Sequence, residues 1–342
     1  MQGTTDILGH EHTIERLWQS AERDTLHHAY LFEGPKGIGK YTLARRFAMA
    51  VNCTHVDAAD PATAPCGQCE SCVQIVAGNH PDVITLQPDP GRAAQIISVD
   101  TIREVVRQAG YHRFSARQRF ILIDPADAML PAASNALLKT LEEPPRHTGF
   151  VLISSKASSL LPTILSRCQR IRMGAIPVPA IQEWLGRQGM EGNLAKRSAL
   201  LSQGCPGVAL SLADGGLAEH DETRDLVLKA LAGNTADRFT YVERLTGGGR
   251  AAWMSDVERV LGVLEELLRD VTVVASESRL PLLHEDRREM LELWAQRAFP
   301  SGLTRCVQAV HDTRGRLSGY ANGRLAIDAL LAILARELGL PH

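Results

Sequence analysis

The chain contains no run of roughly 18 or more apolar residues, and its first residues lack the basic-then-apolar pattern of a secretory signal. We therefore expect a cytoplasmic protein that does not enter a membrane. The chain also lacks an excess of positive charge, because 37 basic and 39 acidic side chains give a formal net charge of −2. Any contact with nucleic acid must then be local, or shared with partner subunits.

Cysteine is too scarce for a disulfide scaffold, with seven residues in 342. Four of the seven nevertheless lie close together, as Cys53, Cys66, Cys69 and Cys72. Four thiolates at this spacing can complete a tetrahedral Zn²⁺ shell, and the polar residues between them could not form a core alone. The sequence predicts a structural zinc module at about 53–72. Scattered free cysteines and a redox CxxC pair are the alternatives, and the repeated x2 spacing suits a closed metal site better than either.

A glycine-rich stretch at residues 34–40 (GPKGIGK) follows a short apolar run and matches the GxxxxGK motif of a P-loop. In such a loop, backbone N–H groups surround phosphate oxygens and the lysine reaches the outer phosphates. A second apolar run, RFILID at 119–124, ends in an aspartate at the position that holds Mg²⁺ through water. The candidate nucleotide-binding residues are Gly34, Gly37, Gly39, Lys40, Tyr41, Thr42 and Asp124.

Two positions depart from what ATP hydrolysis requires. Tyr41 stands where a Ser or Thr hydroxyl normally binds Mg²⁺, and Thr42 comes one position late. Pro125 follows Asp124, where an acidic residue would ordinarily orient the attacking water. The pattern therefore predicts a P-loop that binds ATP or ADP at most and does not hydrolyse ATP.

Apolar runs alternate with helical patterns between residues 28 and 173, which predicts an α/β domain with a parallel sheet covered by helices on both faces. Strands are expected at 30–32, 83–86, 119–124 and 150–154, and helices at 6–26, 40–51, 98–108 and 135–143. Short helices should follow over 180–213, after a boundary marked by Pro177 and Pro179. From Asp221 onward everything is expected to be helical, and no metal, acid–base or nucleophile constellation is recognisable after residue 175. One helical face is marked by Trp253, Val257, Val260, Leu264, Leu267 and Val271.

Several of these stretches together resemble the bacterial DNA polymerase III clamp-loader subunits, which belong to the AAA+ class of P-loop proteins. They are GPKGIGK, the four cysteines, GNHPDV at 78–83, NALLKTLEEPP at 135–145 and ILSRCQ at 164–169. The resemblance is specific over residues 6–173 and rests mainly on helical pattern afterwards. The delta-prime type of subunit is favoured by the His80-Pro81-Asp82 stretch, by the altered P-loop, and by the lack of a sensor-2 arginine over 204–210. The ATP-hydrolysing tau/gamma type and a nucleotide-binding scaffold that does not hydrolyse ATP stay open as alternatives.

The resemblance implies three parts: a RecA-like P-loop domain with the zinc module (1–173), a small helical lid (174–213), and an all-α collar for oligomerisation (214–342). It also implies a hetero-pentamer with tau/gamma and delta subunits that loads the sliding clamp onto primed DNA. Arg167, in the Ser-Arg-Cys stretch, would act in trans as an arginine finger in a neighbour's ATPase site, although an ion pair with a local carboxylate is the commoner fate of an arginine. Contacts with the DNA backbone would come from Ser98, Thr101, Arg103 and Lys139.

Overall fold

A computed structural model describes residues 7–55, 65–88, 96–319 and 321–340. The chain forms two compact units, Met1–Leu210 and Ser211–His342. The predicted zinc module includes residues 56–64, which lie outside the described residues. No helix in the described part of the chain is long and apolar enough to span a bilayer.

The first unit is built on a five-stranded sheet in which every strand runs parallel to its neighbours, in the order β2-β3-β4-β1-β5. The strands are β1 (Ala29–Glu33), β2 (Val83–Leu86), β3 (Arg119–Ile123), β4 (Thr148–Ser154) and β5 (Gln169–Arg172). Each residue of β1, β3 and β4 is buried, which explains why the middle of each strand is apolar without alternation, while polar residues stand at the strand ends (Glu33, Arg119, Thr148 and Ser154). The predicted parallel α/β sheet is thus confirmed.

The edge strand β5 was not predicted from the sequence. Its four residues, Gln-Arg-Ile-Arg, are mostly polar and largely exposed, so the strand lacks the apolar run of the central strands. It pairs with β1 through Tyr30 and Gln169, and its two arginines bind Glu33 at the end of β1. Strand formation here depends on pairing with β1 and on this ion cluster, which a local pattern does not reveal.

The helices of the first unit follow the strands closely. They are α1 (Glu11–Glu22), α2 (Lys40–Asn52), α3 (Glu70–Ala77), α4 (Val99–Ala109), α5 (Pro131–Glu142), α6 (Pro162–Leu165), α7 (Val178–Arg187), α8 (Gly192–Leu201) and α9 (Pro206–Ser211). Helix α5 begins at Pro131, four residues before the predicted start at 135, because a proline is well accommodated in a first helical turn.

Helices cover both faces of the sheet, as predicted. On one face Leu31 and Ile121 join a buried cluster with side chains of α4 and α5. On the other face Phe47 of α2 packs edge-on against Tyr30 and Phe120, with ring centroids 5.3 and 5.5 Å away. This double coverage leaves the carboxyl ends of the strands as the exposed edge where a ligand can bind.

The second unit is helical. A kinked segment (Leu212–Gly216), in which Asp214 and Gly215 leave helical geometry, leads into α10 (Leu217–Ala232), and then come α11 (Thr235–Leu245), α12 (Arg250–Ala275), α13 (Arg288–Arg297), α14 (Pro300–Ser318) and α15 (Gly323–Glu337). The six apolar residues predicted to share a face of α12 are all buried. The expectation of helix everywhere fails at 276–284, a connection without helix between α12 and α13 whose Leu282 and His284 are buried.

Candidate functional site

The P-loop connects β1 to α2 and is shaped by three glycines. Gly34, Gly37 and Gly39 have φ angles of 155, 81 and 103°, in the region that side chains rarely adopt. A Cβ atom on Gly34 would lie 2.3 Å from the carbonyl oxygen of Met173, so that position accepts only glycine. Because α2 begins at Lys40, the free N–H groups of its first turn face the loop and form an anion-binding site.

Lys40 is held by the protein's own oxygens. Its side chain is buried, and its ammonium donates to the carbonyl oxygens of Gly34 and Pro35, both at 2.7 Å, and to Ser155 Oγ at 3.0 Å. Burial lowers the pKa of Lys40, and the negative charges of Asp124 and Asp127 oppose that effect. An ammonium has three hydrogens, and each has a partner here, so a phosphate must displace one of these oxygens to reach the lysine.

The acidic side of the site contains a second carboxyl, Asp127, beside the predicted Asp124. Burial raises the pKa of Asp124, although the positive charge of Lys40 opposes this effect. The Asp124 carboxyl therefore keeps its proton more readily than an exposed aspartate does. Asp127 was not recognised from the sequence; it accepts hydrogen bonds from Ser154 Oγ at 2.7 Å and from the Ser155 backbone N–H at 3.2 Å. Asp127 thereby fixes the end of β4, which supplies a partner to Lys40.

Tyr41 and Thr42 occupy the first turn of α2, where the motif requires a Mg²⁺-binding hydroxyl. The guanidinium carbon of Arg45, one helical turn later, lies 5.9 Å from the centroid of the Tyr41 ring. Tyr41 and Thr42 are both partly buried. The cation–π contact holds the Tyr41 ring along the surface of α2, so it favours the prediction that the phenol does not replace the missing hydroxyl.

The segment at 204–210, predicted only to lack a sensor arginine, packs directly on the P-loop. The backbone N–H of Gly207 donates to the carbonyl oxygen of Gly37 at 2.8 Å. A Cβ atom on Gly37 would lie 2.7 Å from the side chain of Val208, and one on Gly207 would lie 2.9 Å from the Gly37 oxygen. This close approach of two backbones explains the glycine at each position and restricts the tip of the loop.

The four cysteines predicted to bind metal are brought together. One sulfur from each of Cys53, Cys66, Cys69 and Cys72 lies within 4.8 Å of the others, and the Cys53 and Cys69 sulfurs are 4.0 Å apart. Tetrahedral zinc with bonds of about 2.3 Å requires sulfurs about 3.8 Å apart, so the donor set fits the ion. Burial alone would raise the pKa of Cys69, but backbone and side-chain hydrogen bonds from Thr54 and Cys72 outweigh it and lower that pKa to about 6, whereas burial raises the pKa of Cys53 and Cys72.

Arg167 follows α6 and forms an ion pair within the chain. Its guanidinium lies 2.5 Å from Glu142 Oε1, at the end of α5, and also donates to the carbonyl oxygen of Thr163 at 2.8 Å. The side chains of Arg167 and Glu142 are 32% and 49% exposed. Ion pairs as exposed as this one contribute about 0–1 kcal/mol, so another anion can replace Glu142 at small cost.

The predicted DNA-binding residues lie in two separate places, at the start of α4 and in the last turn of α5. Ser98 caps α4 by accepting the N–H of Thr101 at 3.2 Å, and Arg103 is exposed on the same helix. A bridge between Ile97 and Met129 places the start of α4 beside the start of α5. Lys139 is exposed too, but it lies in the last turn of α5 and therefore at the opposite end of its helix from the bridge.

The His80-Pro81-Asp82 stretch has a structural role that the sequence did not reveal. Asp82 is fully buried and pairs with Arg119 of β3 at 2.7 Å. Its other oxygen accepts the backbone N–H groups of Phe114, Ser115 and Ala116 at 2.8, 2.9 and 3.1 Å. Although burial opposes ionisation, these N–H groups and Arg119 lower the pKa of Asp82. The carboxylate thus anchors the loop that precedes β3.

A parallel sheet of order 2-3-4-1-5, with a P-loop after β1 and an aspartate directly after β3, defines the class of protein: an α/β P-loop fold of the AAA+ type. Helices α4 and α5 cover one face and α2 the other. The nucleotide site of this class lies at the carboxyl ends of the strands, where the three glycines and Lys40 are found.

The comparisons with known proteins identify the family. A family model described as "DNA polymerase III, delta subunit" matches residues 9–177. The delta' subunit of DNA polymerase III from Bacillus subtilis is 30% identical over 94% of this chain and 94% of its own length. The tau/gamma subunit from Haemophilus influenzae is 30% identical over 95% of this chain. The chain belongs to the DNA polymerase III clamp-loader subunit family.

The chain covers less than half of the length of some of these relatives. It spans 48% of the Haemophilus influenzae tau/gamma subunit and 35% of the Bacillus subtilis tau subunit. Among solved structures, a gamma subunit-related protein from Thermotoga maritima matches with a TM-score of 0.43 and 17% identity, over 95% of this chain and 99% of that one.

Proposed function

We propose that the chain is a delta-prime-type clamp-loader subunit, a stator that helps load the sliding clamp onto primed DNA without hydrolysing ATP itself. The observation that carries the proposal is the P-loop, in which protein oxygens take every hydrogen of the Lys40 ammonium. Tyr41 and Pro125 stand where a Mg²⁺-binding hydroxyl and a water-orienting acid are needed. The curled backbone of the P-loop still permits ATP or ADP to bind. Hydrolysis of ATP, however, would lack the Mg²⁺-binding hydroxyl and the water-orienting acid.

Steady-state phosphate release and a binding titration with labelled ATP and ADP test this proposal. The purified chain should release phosphate at the background rate, whether or not it binds nucleotide. The control is Lys40→Ala, which removes the buried ammonium at the motif's last position and leaves Lys36 in the loop. Release above background that disappears in Lys40→Ala would overturn the proposal in favour of a motor.

The second candidate function is an ATP-hydrolysing motor of the tau/gamma type. It is favoured by the intact GPKGIGK motif and by the similarity to the Haemophilus influenzae tau/gamma subunit. The motor requires Tyr41 to be displaced so that a hydroxyl can bind Mg²⁺. Under that function Tyr41→Thr should raise an existing turnover, because it restores the Mg²⁺-binding hydroxyl, whereas a stator should show no turnover to raise.

We further propose that Arg167 completes the ATPase site of a neighbouring subunit. A guanidinium placed in trans stabilises the charge that develops on the γ-phosphoryl group. The partly exposed pair with Glu142 supports this role, since the arginine is positioned near the surface and can exchange its partner at small cost. The planar fork of arginine suits two phosphate oxygens in a way that an ammonium does not.

The four cysteines are proposed to hold one structural Zn²⁺. Cys53, Cys66, Cys69 and Cys72 would supply all four ligands, so the ion would staple the segment around α3 and would leave no position for catalysis. Backbone N–H groups of Cys66, Cys69 and Cys72 point at sulfurs of the cluster, at 3.3 to 3.5 Å, which supports thiolate ligands.

The remaining parts of the proposal concern assembly. The chain would join tau/gamma and delta subunits in a hetero-pentamer through a helical collar at 214–342, with 174–213 as a lid over the P-loop. The hydrogen bond between Gly207 and Gly37 supports the lid. Ser98, Thr101 and Arg103 at the start of α4 would contact the backbone of primed DNA, since a helix N-terminus attracts phosphate, and Lys139 would do so separately.

A further inference from the structure

Three side chains that can bind a metal meet in the second unit. His220 lies on α10, Glu266 lies on α12, and His284 lies in the connection before α13. Glu266 Oε2 is 2.8 Å from His220 Nε2 and 3.4 Å from His284 Nε2, and one ligand atom from each residue lies within 4.8 Å of the others. The residues are separated by 46 and 18 positions in the sequence, so no spacing motif could have predicted the cluster.

The cluster leaves buried nitrogens without partners. His284 is fully buried; among the described residues its Nδ1 has no hydrogen-bond partner and its Nε2 has only the long 3.4 Å contact with Glu266, while Nδ1 of His220 lies 3.8 Å from Asp221 Oδ1. The two rings stack, with centroids 5.7 Å apart. A buried polar atom left unsatisfied costs about 1–3 kcal/mol, and native folds rarely accept several in one place. An imidazole can offer a ring-nitrogen lone pair to a metal, and a carboxylate offers a negative charge.

His284 is held in place independently of any ligand. Asp270, one turn after Glu266 on α12 and fully buried, accepts the backbone N–H groups of Leu283 at 3.0 Å and of His284 at 2.8 Å. These two bonds stop the connection from moving away from α12. The backbone therefore holds His284 beside Glu266, much as hydrogen bonds outside a metal site hold its ligands in position.

The cluster can be reached from outside the unit. His220 and Glu266 line a cleft of about 270 Å³ whose other walls include Thr223, Arg259 and Gly262. Two of the three candidate ligands therefore face the cleft, and the fully buried His284 lies behind them. Three protein ligands plus a position for water occur in catalytic zinc sites, whereas four cysteines close a structural site.

We propose that His220, Glu266 and His284 bind a first-row divalent transition-metal ion, with Zn²⁺ as the probe. Tetrahedral zinc with bonds of about 2.0–2.1 Å places its ligand atoms about 3.3 Å apart. The His284–Glu266 separation of 3.4 Å already meets this distance, and the His220–Glu266 pair must open by about 0.5 Å from 2.8 Å. Two imidazoles and a carboxylate suit zinc and its neighbours better than Mg²⁺ or Ca²⁺.

Metal content of the tag-free full-length chain tests the proposal. After loading with Zn²⁺ and removal of the free ion, His220→Gln and Glu266→Gln should each hold one equivalent less than wild type. The matched control is His311→Ala, an exposed histidine of the same unit, which should lose none. Because the variants and wild type share the four cysteines, their difference isolates this site. We expect the apparent Kd of the second equivalent to weaken by more than about 100-fold in His220→Gln, since even an outer-shell partner is worth 10–100-fold.

Cobalt distinguishes the two sites by their ligands. Co²⁺ bound here should absorb without the intense thiolate-to-metal charge-transfer band, and it should remain in a Cys69→Ser variant. His220→Gln keeps a polar side chain and does not touch the Asp270 bonds that hold the connection, so it should keep the wild-type circular dichroism even if Glu266→Gln does not fold. Equal metal content in wild type and folded His220→Gln would overturn the proposal, and the three residues would then be a hydrogen-bonded network only. Cobalt absorption that is entirely thiolate in character would overturn it as well.

Discussion

The buried pair between Asp82 and Arg119 allows a quantitative prediction. Asp82→Asn keeps the shape of the side chain but removes its charge, and the guanidinium of Arg119, itself 5% exposed, is left without its counter-ion. The new amide also brings a donor towards the N–H groups of Phe114, Ser115 and Ala116, which need an acceptor. Breaking a buried pair by removing one partner costs about 3–5 kcal/mol, so we expect the first unit to lose that much stability.

The pH dependence follows from the direction of the shift. The pKa of Asp82 is lowered in the folded chain, so its contribution to stability is fully present above the unfolded value of about 3.9. The contribution is lost as the pH falls through the lower, folded pKa. Wild-type stability should therefore decline below about pH 4, and the part of that decline owed to Asp82 should be absent from Asp82→Asn.

Urea unfolding between pH 2.5 and 7, followed by hydrogen exchange of the β3 amides, measures both effects. Exchange is needed because tryptophans occur in both units, at 18 and 184 and at 253 and 294, so fluorescence mixes the two transitions. Asp100→Asn is the control, since its pair with Arg103 is exposed and should contribute nothing measurable. An Asp82→Asn chain within about 1 kcal/mol of wild type at pH 7 would refute the reasoning.

Four further predictions concern the proposed roles. Arg167→Ala should leave folding and assembly intact and lower ATP turnover at one site of a reconstituted loader on the order of 10³-fold, with little rescue by Arg167→Lys; unchanged hydrolysis and clamp loading would contradict the trans role. Cys69→Ser should lose about one equivalent of zinc and the local order near it, and a metal-free but fully folded wild type would contradict the zinc site. Gly34→Ala should lower the thermal midpoint, because its Cβ would lie 2.3 Å from the Met173 carbonyl oxygen, whereas Gly174→Ala, whose Cβ would meet no atom of the described residues within 4 Å, should not. A chain cut after residue 213 should fail to enter the pentamer, and its co-purification would argue against the collar.

The sequence determined those features that depend on neighbouring residues. Largely apolar runs at 30–32, 119–124 and 150–154 predicted buried parallel strands, because strands covered on both faces need apolar side chains on both sides of the strand. The glycine spacing at 34–39 predicted the phosphate loop, since backbone curvature is set by local φ angles. The cysteine spacing predicted the cluster for a similar reason, as short loops bring their ends together. Tyr41 and Pro125 could be recognised from the sequence as departures, because an ATP-hydrolysing P-loop protein requires a hydroxyl at the first position and an acidic residue at the second.

Tertiary structure alone decided the partners of the charged and polar groups. Lys40 meets Ser155, which is 115 positions later, and Arg167 meets Glu142 across two helices. His220, Glu266 and His284 converge from three segments, against the expectation that no such constellation follows residue 175. A hydrogen bond or ion pair is short-ranged and directional, so its partner depends on which segments the topology places within about 3 Å. Burial of apolar surface is not directional, which is why it leaves a periodic pattern in the sequence and polar pairing does not.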